Sequence, residues 1–292
     1  MKGGATLKEF FKKKSVLITA IVLASIIFIL AVLEIGILIR STWKPYRPEH
    51  AKENIGELIL KDSLSDDDYR RLYRQTGLTK LGVDGLIEAG RAYKILAIQD
   101  DFFGDREYEF SLFAPFTGYF RQTDGPTGYA QLEDGDILYS PSTFFSFLRL
   151  GHSSVVVDGE TRRIAQASGY GSSLEFLPAS NFFIRPAYAV LRPDASADIR
   201  GAVADKVYYE LADATYDFFG GYLTPKFPEK LTRTQCAHMI WYAYYSYGVN
   251  LDDGGRAVTP DNLLTAERTL VVQVYGMDLD LVDPISCKYI KK

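Results

Sequence analysis

The most apolar part of the chain lies near its N-terminus. From residue 15 to residue 33 the sequence SVLITAIVLASIIFILAVL contains no charge, and such a run is long enough to cross a bilayer as a helix. Apolar residues continue to position 39 with one interruption, Glu34, whose carboxylate lies near enough to the end to reach the interface. We therefore predict a transmembrane signal anchor over residues 15–40. The chain shows neither an Ala-x-Ala cleavage site nor a lipobox cysteine, so we expect the anchor to remain uncleaved.

Beyond the anchor, the pattern changes from helical to strand type. Residues 43–52 contain two prolines and mixed charge, which predict a short stalk. Residues 55–103 place apolar residues at helical spacing behind Ser and Asp caps, which predicts two or three helices. From about residue 133, short β-type runs such as DILYS, HSSVVVD and YAVLR dominate. Residues 41–125 are thus predicted to be a stalk and helical extension, and residues 126–292 a β-rich domain.

The C-terminal part adds helices to this domain. The spacing predicts a helix over residues 199–219, a Gly-Pro loop over 220–228, and a second helix over 234–247 that ends at Gly248. LVVQVY near the C-terminus predicts a last strand. Strands followed by helix, loop, helix and strand indicate an α+β fold.

The distribution of charge narrows the functional classes. Residues 1–14 hold five lysines and one glutamate, and Arg40 and Lys44 follow the span, so the positive-inside bias predicts a cytoplasmic N-terminus. The rest of the chain is then extracytoplasmic, on a single-pass protein of the cell membrane. Because residues 15–40 are neutral overall, residues 41–292 carry a charge of −8 within the total of −4. An acidic domain predicts no nucleic-acid partner and does not favour a polybasic grip on anionic lipid.

Cysteine and histidine are the main candidates for chemistry. The chain has two cysteines and three histidines, without Cys-x-x-Cys or His-x-x-x-His spacing, so we predict no metal and no other cofactor. A Gly-x-Ser-x-Gly elbow and a Walker-type loop are absent from the sequence, and acidic stretches such as DGDIL do not match a calcium loop. In an exported protein, Cys236 and Cys287 could alternatively form a disulfide.

Cys236 occupies a position that suits a nucleophile. It follows Thr234, a good N-cap, so its sulfur is expected in the first turn of a helix, where the dipole and free N–H groups favour thiolate. A small buried structural cysteine fits the same position. Among the histidines, His50 lies in the predicted stalk, and His238 points away from Cys236 on the same helix.

The remaining histidine, His152, opens the strand HSSVVVD. If residues 158–160 form a hairpin loop, His152 lies directly opposite Gln166 on the next strand. The amide of Gln166 would then orient the imidazole, as a third residue must in a Cys/His site. The alternative is a histidine and a glutamine that both face solvent.

The order of these segments resembles a known family. GDILYS, GHSSVVVDG and IAQASGYG, then about seventy residues later TQCAHMIWYAYYSYGVNLD, followed by GGRAVTPDNL and VVQVYG, resemble the circularly permuted NlpC-type, papain-like hydrolases of the YiiX group, over about residues 130–276. The helical segment before them resembles that of membrane-anchored relatives in Gram-positive bacteria. The resemblance implies a permuted papain-like domain with an antiparallel sheet and a helix that carries the nucleophile. It assigns Cys236 as nucleophile, His152 as general base and Gln166 as third residue. Ala237 departs from the serine that commonly follows the cysteine, and Gln166 from the common Glu or His.

This resemblance implies a cysteine hydrolase that cleaves amide or peptide bonds, with peptidoglycan or another envelope component as substrate. The backbone N–H of Cys236 and the side chain of Gln235 are oxyanion candidates, and Tyr216 and Asp217 are cleft candidates that could instead serve core packing. Two other functions stay open. One is a lipid acyl hydrolase or acyltransferase of the lecithin:retinol acyltransferase type, with TFFSFLRL as an apolar acyl site. The other is a non-catalytic module that binds wall fragments or a partner. No oligomeric state is predicted.

Overall fold

The computed structural model describes residues 7–290. Its α-helices are α1 (Leu7–Arg40), α2 (Asp66–Thr76), α3 (Lys80–Glu88), α4 (Lys94–Phe103), α5 (Ala197–Asp205), α6 (Cys236–Tyr245) and α7 (Pro260–Thr265). Its strands are β1 (Tyr108–Ala114), β2 (Thr117–Gln122), β3 (Ile137–Ser140), β4 (Thr143–Phe145), β5 (Leu148–Arg149), β6 (His152–Asp158), β7 (Arg163–Gln166), β8 (Glu175–Pro178), β9 (Tyr188–Pro193), β10 (Thr215–Tyr216), β11 (Arg233–Thr234), β12 (Thr269–Tyr275), β13 (Val282–Asp283) and β14 (Lys288–Tyr289).

A six-stranded sheet forms the centre of the molecule. Its order is β12-β9-β3-β6-β7-β8, and every neighbouring pair is antiparallel. All residues of β3 and β9 are buried, so apolar layers cover both faces of the sheet there. Helix α6 is buried over its first nine residues and packs against β6. The α+β class with an antiparallel sheet is confirmed.

The helical extension shares the core of this sheet. Helices α2, α3 and α4 confirm the prediction of two or three helices. The backbone N–H of Thr79, at the start of α3, donates to Val272 of β12 at 3.0 Å, and Leu78 forms a bridge with Gln273. Leu72 and Ile95 are fully buried in the same cluster as Val155 of β6. The extension therefore stabilises the sheet directly.

The extension is not helical throughout, and the prediction for its last part was wrong. Residues 108–122 form the hairpin of β1 and β2, although the sequence analysis placed them in the stalk and helical extension. Pro115 and Phe116 make the turn, and Phe116 adopts a left-handed φ of 61°. Strand β2 pairs with β4, which gives a second sheet of order β1-β2-β4-β5. This sheet joins residues from both sides of the predicted boundary at 125/126.

Two helix boundaries also differ from the prediction. The helix predicted over residues 199–219 covers α5 and one π-type turn as far as Glu210, and Thr215 and Tyr216 instead form β10, which pairs in parallel with β11. Tertiary pairing overrides the helical spacing there. Helix α6 begins two residues later than predicted, with Gln235 as the N-cap. Gly248 has a φ of 77°, as expected of a residue that ends a helix.

Helix α1 contacts the second sheet near its C-terminal end. Residues Lys14–Arg40 are long and apolar enough to cross a membrane, and nearly all of their side chains are exposed. Gly36 and Ile37 are buried exceptions. The hydroxyl of Ser146 donates to the Leu33 carbonyl at 2.9 Å, and a Cβ at Gly36 would lie 2.1 Å from Ser146 Oγ. Only glycine at position 36 allows this close approach.

The stalk after α1 is docked against the protein. The ring of Trp43 lies 5.2 Å from that of Phe120 and 5.9 Å from that of Phe144, measured between centroids. The backbone N–H of Tyr46 donates to the Gly276 carbonyl at 3.0 Å, and Pro45 is buried. The segment between helix and domain is therefore held along its length.

Candidate active site

The thiol of Cys236 lies at the start of α6, beside the main sheet. Cys236 is the first helical residue and is 8% exposed. It faces Ser153 of β6, whose backbone N–H and hydroxyl are directed at the sulfur. The Ser153 hydroxyl is buried and has no oxygen or nitrogen partner among the described residues, so the thiol is the group that it faces. Ser153 directly follows His152, and this places the predicted nucleophile next to the strand that carries the predicted base.

Burial decides the resting protonation state of Cys236. It raises the pKa of the thiol, while the groups of Ser153, the backbone N–H of Ala237 and the charge of Arg185 oppose that rise. The net direction is upward, so the resting residue is a thiol at neutral pH. The sequence analysis recognised the helix start, which favours thiolate, but not the burial that outweighs it.

A chain of side chains fixes the orientation of His152. Its Nε2 lies 2.9 Å from Gln166 Oε1, and Gln166 Nε2 donates to Glu175 Oε2 at 2.9 Å. A carboxylate only accepts, so the NH₂ of Gln166 faces Glu175 and its carbonyl faces the imidazole. His152 must then carry its proton on Nε2, which leaves the lone pair on Nδ1. Ser168 donates to the same carboxylate oxygen at 2.6 Å and holds it in place.

The predicted contact between His152 and Gln166 is present, although the predicted register was wrong. Val155 pairs with Ala165, Val157 is bulged out, and the loop is formed by residues 159–162 instead of 158–160. The strands are shifted by two residues, so the two side chains meet diagonally. Because side chains alternate with a period of two, an even shift keeps both on one face.

The imidazole of His152 is neutral over a wide pH range. Burial, and then the nearby charge of Arg185, lower the pKa of His152 to about 3, although the Gln166 contact raises it. The ring stacks on Phe182 with centroids 6.0 Å apart. A neutral imidazole with a free Nδ1 can accept a proton, as a general base must, but a pKa this low makes His152 a weak base in the resting structure.

Arg185 supplies a positive charge that the sequence analysis did not identify. Its Nη1 donates to Thr143 Oγ1 at 3.1 Å, and its guanidinium lies over the rings of Tyr119 and Phe182. Its Nε is buried without a partner, and no carboxylate in the described part of the chain pairs with it. Burial lowers the pKa of Arg185 to about 10, so it remains charged at neutral pH. The charge acts on both Cys236 and His152.

The other predicted site residues lie close to Cys236 and have different partners. Burial, and then the neighbouring thiol, raise the pKa of Tyr216, so its hydroxyl lines the site. Asp217 forms an ion pair with Arg233 and accepts the backbone N–H of Phe219, which fixes the following loop.

Gln235 is engaged at both ends of its amide. Its Oε1 accepts the N–H of Ala237 at 2.8 Å and lies 3.5 Å from the Cys236 sulfur. Its Nε2 donates to the Val258 carbonyl. In the resting structure Gln235 is therefore not a free donor. The backbone N–H and hydroxyl of Ser153 are directed at the sulfur, and the Ala237 N–H is shared with Gln235 Oε1.

The remaining histidine and cysteine residues lie outside this arrangement. His238 is buried, with Nδ1 3.0 Å from Thr234 Oγ1 and Nε2 2.7 Å from the Lys226 carbonyl, so it packs the helix start. Cys236 and Cys287 are both free thiols in the described chain.

The arrangement combines a buried thiol, a neutral imidazole of fixed tautomer and a half-buried cation, Arg185. Such groups can remove the thiol proton and stabilise negative charge as it develops. Comparisons with protein-family models, with curated proteins and with solved structures found no match to this chain.

Proposed function

We propose that this protein is a membrane-anchored, extracytoplasmic cysteine hydrolase of the permuted papain-like type, which cleaves an amide or ester bond in the cell envelope. The observation that carries the proposal is the hydrogen-bonded chain from Glu175 through Gln166 to His152. His152 lies on β6, the strand whose Ser153 faces the Cys236 thiol. His238, which packs the start of α6, is bonded at both ring nitrogens, whereas His152 keeps Nδ1 as an acceptor. The Lys14–Arg40 helix supports the anchor, and the sequence bias in lysine supports a cytoplasmic N-terminus.

In the proposed reaction, Cys236 Sγ attacks the substrate carbonyl while its proton passes to Nδ1 of His152. The leaving amine or alcohol takes that proton as the C–N or C–O bond breaks, and an acyl thioester remains on the sulfur. Water then attacks the thioester, gives a proton to His152 and releases the carboxylic acid, which regenerates the thiol. The Cys236 backbone N–H and Ser153 are placed to stabilise the oxyanion, with Arg185 adding a positive field.

Proton transfer accompanies attack in this scheme. The pKa of the thiol is raised and that of His152 is lowered, so a thiolate–imidazolium pair is unfavourable before substrate arrives. Arg185 takes over part of the role of the imidazolium, because it is a permanent positive charge beside the sulfur. The site then works as a general-base system rather than as a preformed ion pair.

Two substrates fit the proposal. The family resemblance favours a peptide or amide bond of peptidoglycan. A connection between the site and α1 favours a lipid acyl bond. Arg185 of the site is bound to Thr143, and Ser146, three residues after Thr143, contacts the proposed anchor helix.

Product analysis tests both the reaction and the substrate. The full chain in lipid nanodiscs is incubated separately with muropeptides and with phospholipids, and products and protein adducts are measured by mass spectrometry. We expect one substrate to yield a hydrolysed product, and an acid-quenched sample to carry an acyl group on Cys236. If neither substrate is cleaved and no adduct forms under acylation by an activated thioester probe, the protein is a non-catalytic binding module.

The role of Gln166 can be tested by removing its amide, and by exchanging the amide of Gln166 with the carboxylate of Glu175. Gln166→Leu removes the acceptor of the His152 proton and is expected to lower kcat by about 10-fold or more, up to the 10²–10⁴-fold that a general base contributes. The double variant Gln166→Glu with Glu175→Gln keeps one carboxylate and one amide in the chain. It is expected to retain most of the activity, because a carboxylate also accepts from Nε2. Wild-type kcat in Gln166→Leu would contradict the positioning role.

A further inference from the structure

Two hairpin turns lie side by side at one end of the second sheet. The first turn joins β1 to β2 through Pro115 and Phe116, and the second joins β4 to β5 through Ser146 and Phe147. Thr117, just after the first turn, pairs with Phe145, just before the second. The two turns therefore project from the same edge of the protein. We refer to residues 111–118 and 143–148 together as the hairpin tips.

The hairpin tips expose large apolar side chains. Leu112 and Phe113 on the first hairpin are 57% and 56% exposed, and Phe147 and Leu148 on the second are 48% and 51% exposed. The two segments, SLFAPFTG and TFFSFL, contain no charged residue. Adjacent apolar side chains of this size rarely face water in a soluble protein, and such a patch marks an interaction surface.

Contacts with α1 set the level of the tips along the helix. Ser146 donates to the Leu33 carbonyl, and the second tip covers Gly36. Leu33 precedes Arg40 by seven residues, or about 10 Å of helix. Arg40 Nε donates to the Phe147 carbonyl at 2.8 Å, and its guanidinium lies over the ring of Phe144. The tips thus extend from the level of Arg40 back along the apolar part of α1.

Charged and aromatic side chains surround the tips on the side of the domain. Arg40 lies in the last turn of α1, Lys44 lies in the stalk, and Arg149 directly follows Leu148. Trp43 packs between the stalk and the second sheet. Basic and aromatic side chains at the boundary of an apolar surface suit the headgroup region of a membrane.

We infer that the hairpin tips insert into the bilayer that α1 crosses, on the side where Arg40 leaves it, with lipid acyl chains as the occupant of the patch. The inference rests on the proposed anchor and is independent of catalysis. Lipid is favoured over a second protein because the patch is continuous with the exposed face of α1, which lipid already surrounds in an anchored chain. The catalytic domain is then a second, shallow membrane contact in addition to the helix.

Thiol accessibility tests the inference on the full chain in nanodiscs. Single cysteines are introduced by Phe113→Cys and Leu148→Cys, and their rates of reaction with a water-soluble, membrane-impermeant maleimide are measured by peptide mass spectrometry. Tyr209→Cys is the matched control, since Tyr209 is exposed on the distant π-type turn. We expect both tip positions to react at least about 10-fold more slowly than position 209, and all three to react at similar rates after denaturation.

Two further measurements separate the possible outcomes. Ile27→Cys lies in the middle of the apolar helix and reports on the anchor. If it reacts as fast as Tyr209→Cys, the proposed anchor is refuted, and the insertion of the tips is refuted with it. If Ile27→Cys is protected but the tip cysteines react within twofold of the control, the insertion is refuted while the anchor stands. A bimane fluorophore on Leu148→Cys should be quenched by lipids that carry a spin label high on the acyl chain. Protection without quenching would mean that protein covers the tips, which also refutes the inference.

Discussion

Replacing Cys236 with alanine is expected to lower kcat/KM for the cleaved substrate by at least about 10⁴-fold, as removal of a nucleophile does in related chemistry. The thiol is the only group in the site that can form the proposed acyl intermediate, and His152, Gln166 and Arg185 all act through it. The rate is measured on the full chain in nanodiscs with the substrate identified by product analysis. No acyl adduct should form on the variant.

Cys287→Ala provides the matched control for this variant. Cys287 is also a buried free thiol, but it lies in the C-terminal turn between β13 and β14. It should keep wild-type activity, because the proposed reaction does not use it. Hydrolysis that persists in Cys236→Ala, with a thermal midpoint close to that of the wild type, would show that the thiol is not the nucleophile.

Replacing His152 with glutamine is expected to lower kcat by about 10²–10⁴-fold, which is the range that a general base contributes. Glutamine keeps a polar group near Gln166 but cannot accept the thiol proton. The wild-type rate should show no acid limb near pH 6.5, since burial lowers the pKa of His152 to about 3 and the imidazole stays neutral well below 6.5. A wild-type rate that falls with a midpoint near 6.5 would contradict a buried neutral base.

The same residue links stability to pH. His152 has a lower pKa in the folded state than its ordinary value of 6.5, so the unfolded state binds the proton more readily. The free energy of unfolding should therefore fall as pH drops from about 6.5 towards 3. His152→Gln should show a shallower decline in thermal midpoint between pH 7 and pH 5 than the wild type. An equal decline in both proteins would mean that other groups control the acid sensitivity.

The sequence predicted contacts that depend on periodicity and missed those that depend on burial. The contact of His152 with Gln166 could be predicted, because a register shift of two residues leaves both side chains on the same face of the sheet. The hairpin of β1 and β2 was missed because the sequence analysis placed residues 108–122 in the helical extension, whereas in the structure they pair with each other and with β4. Ser153 and Arg185 gain their importance only from what surrounds them in the fold. A single sequence shows that Cys236 starts a helix, but not that the site is closed enough to raise its pKa.

The docked stalk limits how the domain can move relative to α1. Trp43, Pro45 and Tyr46 are held against the second sheet and the end of β12. With α1 as the proposed anchor, the thiol would therefore keep a nearly constant height above the membrane, which a free tether would not allow. If the substrate is the lipid proposed above, enzyme and substrate would meet by lateral diffusion within the membrane surface. Turnover would depend on the mole fraction of substrate within the surface layer, and it would fall when inert lipid dilutes that layer even though the bulk concentration is unchanged.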